Sequence, residues 1–180
     1  MTRPDQPLAP APAGPGATAD AYRAGMSLLA AGVCLITSSR ANALSGMIAT
    51  AVTSVSADPP TLLICLNRNA SLFDIVKSTG TFCVNVLTTQ AVALADVFSN
   101  SARRAERFQG GEWRLLPSGA PMCADALVAF DCQVAKVIDW HTHGIFLGQV
   151  RTVVHSGTQA KPLLYMDRRF HHLGDVPVSG

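Results

Sequence analysis

Two groups of residues in this 180-residue chain have the types and spacing to do chemistry. The first is Asn67-Arg68-Asn69-Ala70-Ser71, a polar turn directly ahead of Leu72, Phe73, Ile75 and Val76 at helical spacing. Asn69 or Ser71 can cap such a helix, and the free N–H groups of a first turn favour an anion. A phosphate seated on Ser71 and the neighbouring amides would use both effects, with Arg68 and Lys77 adding charge. An ordinary capped helix with no ligand accounts for the same residues. The second group is histidine: His141, His143, His155, His171 and His172 all lie in the C-terminal part. His141 and His143 sit two apart, and on a strand they would face the same side, a spacing a metal could use. Asp139 is the only further candidate nearby, so no metal site is expected. No GxSxG elbow presents a nucleophile, which disfavours a hydrolase. No GxGxxG follows a strand, which argues against a parallel dinucleotide-binding fold.

The elements that must hold these residues are mostly strands. Met47 to Ser56 is small, β-branched or hydroxylated and reads as one strand, with Val52, Ser54 and Ser56 on one face and Ala51, Thr53 and Val55 on the other. The second face, continued back to Ala49, is small enough to leave room for a flat object. Asp58-Pro59-Pro60 breaks the strand, and Thr61 to Leu66 is a short apolar run of the buried type. Upstream, Thr18 or Asp20 caps a first helix with Tyr22, Met26 and Leu29 on one face, ended by Gly32. Val33 to Thr37 is a strand, and Ser38–Ala43 a turn.

Downstream, Thr79-Gly80 closes the Ser71 helix and Phe82 to Leu87 is a strand. Thr88 or Thr89 caps a helix presenting Ala91, Leu94, Ala95 and Phe98. Ser99 to Gly111 is polar and charged and reads as a mobile connection or lid. Arg103, Arg104 and Arg107 within it read as a solvated cluster. Short strands are expected at Trp113–Leu116 and Pro162–Met166, and long ones at Leu127–Ile138 and Gly144–Val154. Many strands with few, inserted helices fit a closed antiparallel barrel. One domain is expected over residues 20–174, between a disordered Pro/Ala/Gly-rich tail (1–19) and a short C-terminal tail (175–180).

Hydrophobic residues make up 48% of the chain, charged residues 14%, and the net charge is +2. That balance supports a core of ordinary size and points neither to nucleic acid nor to a membrane surface. The five cysteines, without a CxxC pair, read as reduced thiols of a cytoplasmic protein.

The stretch IATAVTSVSADPPTLLICLNRNAS resembles the flavin-binding core of the flavin reductase-like family, the small NAD(P)H:flavin oxidoreductases that supply two-component monooxygenases. The resemblance is strongest to the reductase components of aromatic hydroxylases such as the 4-hydroxyphenylacetate system. It extends to GMSLLAAGVCLIT, FCVNVL, ERFQGGEW and PLLYMDRRFHHL, in order, from about Tyr22 to Leu173.

The resemblance implies an FMN-binding split barrel, usually a homodimer. It implies that Thr50, Ala51, Thr53 and Ser54 line the isoalloxazine edge, and that Asn67, Ala70 and Ser71 hold ribityl and phosphate, with Lys77 nearby. His143 takes the place of the His in the family's Gly-Asp-His motif, near nicotinamide and flavin, although His141 and Thr142 precede it here. Tyr165 and Phe170 could pack on a ring. Arg168 or Arg169 could meet a pyrophosphate or carboxamide, or Asp167, Arg168 and Arg169 could simply pair with each other at the surface. The implied activity is hydride transfer from NADH or NADPH to FMN or FAD, for use by a separate flavin-dependent monooxygenase. A flavin-binding electron carrier, or a reductase of another acceptor such as a corrinoid, are the alternatives.

Overall fold

The computed structural model describes residues 16–157 and 159–174. The first fifteen residues of the expected N-terminal tail, and all of the C-terminal one, lie outside them. Three α-helices, α1 (Ala19–Ser27), α2 (Ser71–Thr79) and α3 (Val92–Ser99), interrupt twelve strands. In order the strands are β1 (Ala31–Gly32), β2 (Cys34–Arg40), β3 (Ala43–Ala49), β4 (Val52–Ala57), β5 (Pro60–Asn67), β6 (Thr81–Val86), β7 (Trp113–Leu115), β8 (Pro121–Cys123), β9 (Val128–Trp140), β10 (His143–His155), β11 (Leu164–Met166) and β12 (Arg169–His171). Seven form one sheet in the order β3-β2-β6-β9-β10-β5-β4, every pair antiparallel. All seven contribute to a single apolar cluster: Ile36, Met47, Val52, Ile64, Phe82, Cys132 and Phe146 each come from a different strand. A core fed by every strand of a sheet is the inside of a barrel.

The helix α2 stops one end of that barrel. Leu72, Phe73 and Val76 are buried in the same cluster, and Phe73 meets Phe146 edge to face at 5.3 Å. Gly80, at φ 70°, ends the helix and returns its N–H to Val76. Close approach of helix to strand fixes one glycine: a Cβ at Gly144 would stand 2.6 Å from the Phe73 ring. The outer face of β2 packs against α3, where Leu35, Leu87, Ala95 and Phe98 bury one another. Buried polar groups pin the β7–β8 hairpin: Asn85 donates to Leu35 C=O and accepts from the Cys123 N–H, and Asp131 accepts from Ser118.

Several local expectations change. The run Met47–Ser56 is two strands, because the chain turns at Thr50–Ala51, where the Val52 N–H closes onto Thr50 C=O and the Cys65 N–H takes Ala51 C=O. The turn expected over Ser38–Ala43 is only Ala41–Asn42, both at positive φ, so β2 and β3 pair along seven residues. Thr61–Leu66 alternates: Leu62, Ile64 and Leu66 face in while Leu63 and Cys65 are half-buried outside. The helix α1 ends at Ser27, not at Gly32, and Thr18 caps it. Ser99–Gly111, expected as a mobile connection or lid, has structure of its own. It forms a 3-10 segment over Ser101–Glu106 and a docked Phe108, which packs with Phe98 and Trp113.

Candidate functional site

The barrel register brings the two sequence clusters together. His143 opens β10 directly opposite Asn67, the last residue of β5. The Arg68 N–H donates to Thr142 C=O at 3.0 Å, and the Arg68 guanidinium reaches the Asp139 carboxylate at 2.8 Å. The turn leading to Ser71 and the hairpin carrying His143 are thus tied by main chain and side chain. Inward positions on β10 are Gly144, Phe146 and Gly148, so His143 stands on the outer face, exposed, with Nδ1 at 2.8 Å from Thr142 Oγ1. His141 does not share that face. It sits in the β9–β10 turn at φ 46° against Trp140, so the two-apart pair is not a strand pair. Among the described residues no group of three or more His, Cys, Asp or Glu could hold a metal.

Ser71 is the first residue of α2, not its cap. The cap is Ala70, which offers no side-chain acceptor, and Asn67 Oδ1 takes the Asn69 N–H instead. Of the first-turn amides, that of Phe73 is taken by Ala70 C=O, and those of Ser71 and Leu72 have no side-chain cap. They open into a cavity of about 380 Å³, lined by Gly46–Ile48 of β3, by Asn69, Ala70 and Ser71, and by Arg104 and Arg107. A smaller arm of about 120 Å³ shares Gly46, Ser71, Arg104 and Arg107 with it and is lined also by Ser45 and Phe108. The two arginines are the residues that sequence reasoning set aside. They lie more than thirty positions beyond Ser71, and only the docking of the 3-10 segment on β3 brings them in. Arg107 is held there by bonds to Gly46 C=O at 3.0 Å and Phe98 C=O at 2.8 Å.

The other expected site residues are spread over four places. Thr53 and Ser54 line a separate, largely apolar hollow of about 370 Å³ with Val52, Phe130 and Val153. The exposed Thr50 and Ala51 lie on the chain between the two hollows, since Ile48 lines one and Val52 the other. Lys77 is exposed near the far end of α2, its ammonium over the Phe73 ring, and does not line the Ser71 cavity. Arg68, expected to add charge there, is engaged by Asp139. Tyr165, Arg168 and Phe170 belong to the small β1-β11-β12 sheet, with Tyr165 and Phe170 edge to face at 5.6 Å and Arg168 in the turn between them. Asp167 and Arg168 form no ion pair with each other among those found in the described residues.

Burial pushes the Cys34 thiol up to about 11 and Cys132 to about 12, and raises Cys83 further. These thiols stay protonated at neutral pH and are no nucleophiles. All five cysteines are free.

Residues 26–174 match the flavin reductase like domain family. The chain belongs to that family. It is 42% identical over 153 residues to the FMN reductase (NADH) RutF of Agrobacterium fabrum, covering 84% of this chain and 87% of the relative. Among solved structures of flavin reductases, the NADH:FAD oxidoreductase SgcE6 of Streptomyces globisporus superposes with a TM-score of 0.83 at 27% identity, over 96% of this chain and 98% of that one. BorF, the flavin reductase component of a bacterial two-component tryptophan halogenase, does so at 0.80 and 29% identity, over 88% and 100%. The expected antiparallel split-barrel architecture of the flavin reductases is therefore the one found. Among the described residues no helix is long and apolar enough to cross a membrane.

Proposed function

We propose that this chain is an NADH-dependent FMN reductase that hands reduced flavin to a separate flavin-dependent monooxygenase. The observation that carries the reading is the cavity at the start of α2, where uncapped helix amides, Ser71 and two arginines converge on one space. Relatives named FMN reductase (NADH), covering most of their own length, supply the activity. The two-component setting rests on BorF.

The residues present fit a flavin. In this reading the phosphate end occupies the Ser71 cavity, with Asn67 and Ala70 beside the ribityl chain. The ring passes over Thr50 and Ala51, exposed and small, toward Thr53 and Ser54. Flavin bound there accepts a hydride from NADH; the protein supplies orientation and exclusion of water. His143 borders the phosphate turn through Asn67 and presents its imidazole on the outer barrel face, where a nicotinamide would lie. Tyr165, Phe170 and Arg168 stand on a separate sheet and would complete the site from a second copy of the chain.

Exposed apolar side chains support such a dimer. Tyr22 and Met26 of α1 and Leu29 just after it are 64%, 45% and 62% exposed, and no residue of α1 is buried.

The test is NADH oxidation with FMN, with FAD and with neither. Turnover that requires added flavin and runs faster with FMN is expected. Tight flavin binding without NADH oxidation would overturn the reading in favour of a carrier.

A further inference from the structure

We propose that Arg104 and Arg107 form a dedicated cradle for a terminal phosphate monoester, which makes this site selective for FMN over FAD and riboflavin. The inference rests on the flavin reading above and adds the residues that choose the flavin.

Three adjacent cations occupy this stretch, and the structure treats them differently. Arg103 is neutralised: it binds Asp96 at 2.7 Å and Glu106 at 2.7 Å. Arg104 has no carboxylate or hydrogen-bond partner for its side chain among the described residues, yet it lines both arms of the cavity. Arg107 also lines both, fixed by carbonyls and by the Phe98 ring beneath it rather than by a carboxylate, and its Nε is buried without a hydrogen-bond partner. Burial lowers the pKa of Arg107, and the positive charge of Arg104 pushes the same way. Arg107 is thus held in place and the exposed Arg104 lines the same space, with no protein anion between them, together with the Ser71 and Leu72 end of α2. That arrangement lacks a counter-anion, and its donors suit phosphate oxygens.

A monoester phosphate at neutral pH carries about −1.5 to −2 charges on three acceptor oxygens. Each phosphate of a dinucleotide pyrophosphate carries a single charge, and its outer side is blocked by the adenylate. The smaller arm beside the arginines, lined also by Ser45 and Phe108, holds only about 120 Å³, which suits a group that ends there better than one that continues into an adenylate. Riboflavin presents no anion at all.

The experiment is flavin titration by fluorescence quenching with FMN, FAD and riboflavin, on the wild type, Arg104→Gln and Arg103→Gln. Arg104→Gln is expected to lose about 10- to 100-fold in FMN affinity, the scale of a hydrogen bond to a charged group. Riboflavin affinity should stay unchanged, and Arg103→Gln should bind FMN as the wild type does. In the wild type, added salt should weaken FMN and spare riboflavin. A second arm uses inorganic phosphate alone and reads thermal stability: phosphate should raise the melting temperature of the wild type and not of Arg104→Gln. Equal losses for FMN and riboflavin would overturn the proposal, as would equal losses in the Arg103 and Arg104 variants or an FMN affinity untouched by Arg104→Gln. If the wild type bound no flavin yet phosphate still stabilised it through Arg104, the flavin reading would fall and the anion cradle would stand. If phosphate stabilised neither protein, the cradle itself would fall.

Discussion

At the scale of single residues, Ser71 separates a structural role from a binding one. As the first residue of α2 behind Ala70, it makes no side-chain cap bond to lose. Ser71→Ala is therefore expected to leave the melting temperature unchanged while weakening FMN by about 1.5–3 kcal/mol, one hydrogen bond to a charged group. Ser71→Asp should weaken FMN further, because it sets a like charge beside the phosphate. Its melting temperature should not fall, since a carboxylate in a first helical turn complements the dipole. Flavin titrations and thermal melts on both variants check this; aspartate binding FMN as well as serine would remove the phosphate from this cavity. His143 makes a complementary case. Its ring hydrogen-bonds Thr142 Oγ1, and it opens a strand, exposed, rather than packing in a core. His143→Ala should slow reduction of prebound flavin in stopped flow more than it weakens FMN binding. A change in flavin affinity alone would make it a surface residue.

At the scale of elements, α2 is where packing and binding meet. Its apolar face stops the barrel against Phe146, and its first turn faces the cavity. Gly144→Ala would drive a Cβ to 2.6 Å from Phe73 and displace the helix, at a cost of about 1–3 kcal/mol by the usual toll of overpacking. FMN affinity should fall along with stability in urea melts. Gly25→Ala, in exposed α1 with nothing within 4 Å, should be neutral or stabilising.

This is also the scale at which the sequence is partly legible. The apolar spacing of Leu72, Phe73 and Val76 and the Gly80 stop are local signals, and α2 follows from them. The long alternations of β9 and β10 are equally local. The break at Thr50–Ala51 is not, because neither residue is a turn former; it comes from the Cys65 amide of a neighbouring strand taking Ala51 C=O. The cavity was half visible. Ser71 and its turn carry the local pattern of an anion site, whereas Arg104 and Arg107 reach the same cavity only through tertiary docking, Arg107 by its bond to Gly46 C=O. Nothing in RRAER distinguishes the paired Arg103 from the unpaired Arg104.

At the scale of the whole molecule, the barrel buries its own core without α1. The exposed Tyr22 and Met26 then have a use only against another surface, which we take to be a second copy. Tyr22→Glu with Met26→Glu should shift the protein toward monomer in light scattering. It should leave the unfolding midpoint of that monomer unchanged, because no α1 side chain is buried within the chain. Loss of flavin reduction in such a monomer would mean that Tyr165, Arg168 and Phe170 act across the interface. A dimer that persists would put the contact elsewhere.

The stopper helix has a consequence for the life of the protein. With the phosphate at the start of α2, as proposed above, the element that closes the barrel also receives the ligand, and flavin bound there would hold the fold shut by mass action. A flavin concentration one hundred times its Kd adds about 2.7 kcal/mol, or about 5–10 °C in melting temperature for a chain of this size. An enzyme that releases its reduced flavin gives that increment up at every turnover. Its resistance to proteolysis would then follow the flavin supply of its surroundings, high when flavin is plentiful and low when a partner drains it.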